Sequence, residues 1–173
     1  MLLDALPELV GQGARLAVLG SGEKWLEAGF VAAAHQFGGA VGTIIGYDEA
    51  LSHLMQGGSD AILIPSRFEP CGLTQLYGLH YGTLPVVART GGLADTVIDA
   101  NDAALMAGCA TGVQFAPITA AGLDHAITRA CALYHQPKVW AAMQRRAMRH
   151  PVGWGQSAQA YLDLYASLKG EPI

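Results

Sequence analysis

Short runs of Val, Ile, Leu and Ala recur along the chain, each bounded by Gly, Pro or charged residues, and between them apolar positions fall at helical spacing. A run that is apolar at nearly every position, rather than at alternate ones, is what a strand covered on both faces requires. This pattern predicts strands over 15–19, 41–45, 61–64, 84–88 and 112–115. The longer stretches predict helices over 24–37, 48–56, 73–81 and 120–134, with Ser21 and Asp48 as start signals and Gly57, Gly58 and Gly82 as stops. Residues 2–10 read as the tail of a helix with no strand before it, and 138–168 as helices broken around 151–155. Strands alternating with helices predict an α/β fold, a Rossmann-like doubly wound parallel sheet, with residues 1–173 forming one domain.

The chemistry concentrates where strand 61–64 runs into Pro65-Ser66-Arg67-Phe68-Glu69-Pro70-Cys71-Gly72 and then a helix. Open parallel sheets bind ligands at the carboxyl ends of their strands, so this loop falls on the binding edge. The main-chain N–H groups of Leu73 and Thr74 at the helix start suit an anionic phosphate, and the Thr74 hydroxyl adds a donor. Glu69 is placed to accept hydrogen bonds from sugar hydroxyls. The next strand ends in Thr90-Gly91-Gly92-Leu93-Ala94-Asp95-Thr96, where unobstructed backbone amides make a second phosphate or sugar site and Asp95 or Thr96 is a candidate cap. Gly20 and Gly22 follow the first strand but lack the third glycine of a dinucleotide fingerprint.

Composition narrows the partners. Charged residues make up 14% of the chain and the formal net charge is -4, which leaves no basic surface for nucleic acid. Apolar runs fall well short of the roughly 18 residues of a spanning helix, and the first residues carry no basic region or cleavage pattern, so no membrane partner and a cytoplasmic location are expected. Cys71, Cys109 and Cys131 are odd in number and widely spaced, which fits reduced thiols rather than a disulfide framework or zinc site. The six histidines show no ligand spacing either, so no metal site is expected.

The run from Pro65 to Gly78, the segment Thr90 to Thr96, the stretch Ile45-Gly46-Tyr47-Asp48-Glu49-Ala50 and Ser52-His53 together closely resemble the C-terminal domain of bacterial glycogen synthases and plant starch synthases. These are retaining glucosyltransferases of the GT-B architecture. The resemblance implies transfer of glucose from ADP-glucose to the non-reducing end of an α-1,4-glucan, with ADP as product and no further cofactor. It implies that Glu69 hydrogen-bonds the donor glucose as the catalytic acidic residue, with Cys71, Gly72, Leu73 and Thr74 lining the sugar and diphosphate. Tyr47 matches the aromatic that stacks on adenine, Gly91, Gly92 and Leu93 match the second donor loop, and Gly20 and Gly22 lie near the nucleotide. Many related transferases have a second Glu where this chain has Tyr77, which favours the glycogen synthase branch.

The same resemblance implies an N-terminal domain with a Lys-bearing Gly-Gly-Leu loop, and a first strand followed by an Arg and a Lys, none of which is in this sequence. In the order 3-2-1-4-5-6 the first strand is central. The expectation is therefore a sheet lacking its middle strand, in a donor-binding portion that is poorly stable and inactive alone. The alternatives are a non-catalytic nucleotide-sugar-binding module and a degenerate structural remnant.

Overall fold

The computed structural model describes residues 1–169 and has parallel strands alternating with helices. In chain order the elements are α1 (Leu2–Gly11), β1 (Leu16–Gly20), α2 (Lys24–Gln36), β2 (Val41–Ile45), α3 (Glu49–Gly58), β3 (Ala61–Ile64) and α4 (Thr74–Tyr81). They continue with β4 (Leu84–Ala88), α5 (Gly91–Thr96), α6 (Asp102–Ala107), β5 (Val113–Phe115), α7 (Ala120–Tyr134), α8 (Pro137–Ala147) and α9 (Trp154–Lys169). All five expected strands form, and every pairing among them is parallel.

The strands make two sheets instead of one. β1 pairs with β2, Leu16 opposite Val41, while β3, β4 and β5 form the second sheet in that order. Among the described residues no strand lies between β1 and β3, so the expected interruption of the sheet is present. β4 is the centre of the larger sheet, buried along its whole length, and its side chains join those of α4, α7 and α8 in the main core. A smaller core of Leu6, Ala33 and Val41 serves the two-stranded sheet. α1 touches both, because Leu6 belongs to the smaller core while Ala5 and Leu9 belong to the larger. Helical spacing turns Leu6 away from its neighbours Ala5 and Leu9 by a part-turn, enough to reach a different layer.

Local signals explain most boundaries. The Asp48 side chain accepts from the Leu51 N–H and caps α3. Gly82, in the left-handed region at φ 76°, closes α4 as expected. The glycine pair ends α3, whose last residue is Gly58, and the buried Thr83 hydroxyl bonds the carbonyls of Gln56 and Ser59 on either side of that end. Two expectations need correction. Ser21 does not start α2, whose preceding residue is Glu23. Asp95 and Thr96 do not cap α5 at its start, since the helix begins at Gly91 and they lie in its last turn.

Candidate functional site

The loop 65–73 is held from beneath by one side chain. Gln75, in the first turn of α4, is fully buried, and its Nε2 donates to the carbonyls of Cys71 (3.0 Å) and Gly72 (2.9 Å) and to the Thr96 hydroxyl (3.2 Å). Thr96 in turn donates to the Gly92 carbonyl, so this side-chain amide helps tie the loop to α5. Gly72 makes this possible: at φ 72° it turns the chain, and a Cβ there would meet Gln75 Oε1 at 2.4 Å. The turn leaves Cys71, Leu73 and Thr74 exposed at the start of α4, with Glu69 half-buried and the Ser66 hydroxyl 3.5 Å from its Oε2.

The glycine pair packs against this loop. A Cβ on Gly91 would lie 2.0 Å from the Glu69 carbonyl oxygen, and one on Gly92 would lie 2.2 Å from that of Cys71. The Gly92 N–H donates to the Glu69 carbonyl at 3.2 Å, so it is not the open amide that the sequence suggested. The pair lets two loops meet and so positions Glu69. Leu93 also differs from expectation. Its side chain is fully buried with Val87 and Val97, and its N–H donates to Thr90, so it anchors the second loop and turns no side chain toward a ligand.

Gly20, Tyr47 and Thr74 come together at the carboxyl edge of the strands, where they line a cavity of about 1070 Å³ running down between β1 and β3. Tyr47 is 85% exposed, its ring free to take a flat partner. His53 and Tyr77 share the same wall, their rings edge-to-face with centroids 5.5 Å apart. Gly22 does not line that cavity. Its N–H donates to Glu27 Oε1 at 3.0 Å, and this bond, aided by the Lys24 ammonium, holds the Glu27 carboxyl below its ordinary range against a small opposing effect of burial.

Sequence reasoning missed Gln75, His53 and the exposed Arg67 and Arg89, which place cations after β3 and β4 on the binding edge. An Arg in a loop and a Gln in a helix carry no sign of burial or position, whereas their place after two adjacent strands was the available signal for the arginines. Among the described residues no group of three or more His, Cys, Asp or Glu is arranged to hold a metal ion, and no helix is long and apolar enough to cross a membrane.

Residues 1–145 match the family described as Glycosyl transferases group 1. A glycogen synthase of Roseobacter denitrificans is 72% identical over 170 residues, which is 98% of this chain and 36% of that protein. One from Novosphingobium aromaticivorans is 63% identical over 99% of this chain and 35% of its own length. Among solved structures, the catalytic domain of Starch Synthase IV from Arabidopsis thaliana bound to ADP and acarbose superposes with a TM-score of 0.83 at 32% identity, covering 95% of this chain and 34% of that one. The chain thus spans about a third of the length of the curated relatives it matches.

Proposed function

The chain belongs to the group 1 glycosyl transferases, and we propose that it is the donor-binding portion of a glycogen synthase, which moves glucose from ADP-glucose to the non-reducing end of an α-1,4-glucan with retention. The observation that carries this is the loop 65–73, latched by Gln75 and seated on Gly91 and Gly92 at the carboxyl ends of β3 and β4. High identity to glycogen synthases over nearly the whole chain, and the likeness to a starch synthase bound to ADP, support the choice of donor.

In this reading Glu69 accepts hydrogen bonds from the donor glucose, and Cys71, Gly72 and Leu73 line the sugar and diphosphate. The exposed start of α4, with the Thr74 hydroxyl, receives the diphosphate, where helix-end N–H groups favour growing negative charge on the leaving group. Tyr47 stacks on adenine, Gly20 lies against the nucleotide, and Gly22 acts through the Glu27 contact that shapes its loop. Gly91, Gly92 and Leu93 hold the second loop in register. The family resemblance favours a front-face reaction with the departing phosphate taking the acceptor proton. No cofactor is required. The acceptor glucan is held by a further domain, carried on the portion of the relatives that this chain does not span.

Titrating ADP into the chain by calorimetry tests the donor site, and absence of binding would leave only a structural remnant. Adding the separately expressed remainder of the Roseobacter relative, with glycogen primer and ADP-glucose, tests the transferase: transfer is expected from the pair and not from either part. Binding of ADP without transfer by the pair would favour a non-catalytic module. Glu69→Gln is expected to cut transfer by about 10- to 100-fold, the worth of a hydrogen bond to a charged group, while leaving ADP affinity nearly unchanged.

A further inference from the structure

A second cavity, of about 670 Å³, lies between α6, α7 and α8. That size is ordinary for a small-molecule site. It is separate from the cavity that holds Gly20, Tyr47 and Thr74, and the last two turns of α7 are the partition between them. Arg129, Ala132, Leu133 and Gln136 line the smaller cavity, whereas Ala130, Cys131, Tyr134 and His135 line the larger. The first set follows the i, i+3, i+4, i+7 rule of one helix face, which puts the second set on the opposite face. A ligand in the smaller cavity therefore has no access to the donor loop.

Three cations, Arg129, Lys138 and Arg146, line this cavity against one carboxylate, Asp102. The chain carries only 10 Lys and Arg and a net charge of -4, so a cationic cavity runs against its overall balance. The three are not equivalent. Arg129 is held by Asp99, its Nη2 at 3.0 and 3.1 Å from the two carboxylate oxygens. Lys138 and Arg146 enter none of the ion pairs among the described residues. Arg146 is half-buried all the same, and a Cβ on Gly108 would lie 3.3 Å from its Nη2, so the guanidinium rests on the end of α6 where a side chain would crowd it. A guanidinium drawn partly out of water without a carboxylate beside it has lost hydration that an anion in the cavity would replace. Lys138 stands a little over two turns earlier on α8, about 12 Å along its axis, toward the other end of the same cavity. The wall between them is apolar, formed by Leu105, Leu133, Val139 and Ala142. Met106 also lines it and is 85% exposed, a pliable apolar side chain left in water.

We propose that the cavity between α6, α7 and α8 is a binding site for a small organic phosphate, with its phosphoryl oxygens on Arg146 and its apolar body along Leu133 and Val139 toward Lys138. A guanidinium offers a planar fork of donors that matches two phosphoryl oxygens at once, and the Lys138 ammonium adds a field of the same sign. The site is independent of the donor-site reading.

The probe is phenyl phosphate, titrated into the 173-residue chain and followed by the amide resonances of Leu105, Leu133, Val139 and Ala142. These are expected to move in a saturable way, and Tm to rise with probe concentration. Inorganic phosphate lacks the apolar body and phenol lacks the charge, so each should bind at least about tenfold more weakly, a loss of about 1.4 kcal/mol. Equal binding by either one would overturn the proposal, because the wall or the cations would then contribute nothing. Arg146→Met is expected to weaken the probe at least about tenfold, while Arg145→Met, an exposed neighbour that does not line the cavity, should leave it unchanged. Ala142→Phe, which fills the cavity and keeps every charge, should also remove binding. Equal losses from Arg145→Met and Arg146→Met would show attraction to a diffuse positive surface and overturn the site. The titration is repeated with ADP at saturation. Unchanged probe binding is expected, whereas displacement by ADP would assign the probe to the donor cavity and overturn the proposal. Failure of ADP itself to bind would count against the donor site alone, since the shifts at Leu133 and Val139 report the second cavity directly. Absence of any probe-dependent shift at those amides would end the proposal outright.

Discussion

At the scale of single residues, the candidate site depends on a side chain with no chemistry of its own. Gln75→Leu keeps the volume but leaves the carbonyls of Cys71 and Gly72 without their donor. A loss of about 1–3 kcal/mol in urea unfolding is expected, together with weaker ADP binding, because loop 65–73 is then tied to α5 only by the Gly92 N–H to the Glu69 carbonyl. Gly92→Ala tests the neighbouring contact. The new Cβ meets backbone atoms of Cys71 at 2.2 and 2.7 Å, which cannot rotate away, so ADP affinity should fall even if the fold survives, as titration of a variant with an unchanged circular dichroism spectrum will report. Glu27 gives a pH dependence. Its carboxyl is held below 4.5 in the folded chain by the Gly22 N–H first and Lys24 next, so its contribution is present above that value and disappears as pH falls through the lowered pKa. ADP binding measured against pH should show an acid limb that Glu27→Gln removes. Glu69 and the glycine pair were legible in the sequence because rigid prolines and a strand end frame them. The work of Gly92 in seating a carbonyl, the burial of Leu93 and the latch at Gln75 were not, since each depends on which loop lies opposite, a relation between residues some twenty positions apart.

At the scale of elements, legibility followed length and burial. The five strands could be read because nearly every residue in them is apolar, and the long α7 because it presents Leu123, Ala126, Ile127, Ala130 and Leu133 at helical spacing. α5 and α6 escaped, each being six residues long and too short for a period to emerge. The Asn101 side chain accepting from the Ala104 N–H and Gly108, in the left-handed region at φ 69°, were the local signs of α6. What joins α7 to β5 is also invisible in a periodic pattern. Asp99 accepts two hydrogen bonds from Arg129 Nη2, at 3.0 and 3.1 Å, and one from the Gln114 N–H at 2.8 Å. Asp99→Ala leaves the Arg129 guanidinium with only the carbonyls of Gln114 and Ala100 and the Gln114 amide with no acceptor, and thermal or urea unfolding should show a loss of about 1–3 kcal/mol. Arg129→Met should be milder, because it leaves the Gln114 bond intact and retains the aliphatic packing. α9 is the opposite case: it buries none of its residues, and Trp154, Tyr161, Leu162, Tyr165 and Leu168 all stand exposed. Its apolar side chains therefore contribute little to the core of residues 1–153.

At the scale of the whole molecule, the sequence expectation of an interrupted sheet and the two sheets of the structure agree, and the consequence is mechanical. β1, α2 and β2 have their own small core of Leu6, Ala33 and Val41, and no strand pairing carries that unit across to β3. Much of what carries it is α1, which packs on α2 with one face and on α7 with another, joined by Leu16 of β1 against the larger core and by α3 against α4. Links of this kind couple two parts without a shared strand ladder, so opening of the smaller part need not wait for the larger. Leu6→Ala removes the buried side chain that fastens α1 to the smaller core, at a cost of about 2–5 kcal/mol for a site of this kind. If the two sheets were one cooperative body, that cost would appear equally in every slow amide. With the link through α1, the amides of Leu16–Gly20 and Val41–Ile45 should exchange faster by most of that amount, while those of Val86, Val87 and Ala88 at the centre of the larger sheet keep their protection. Uniform acceleration across both sets of strands would show that the halves open together despite the gap between β1 and β3.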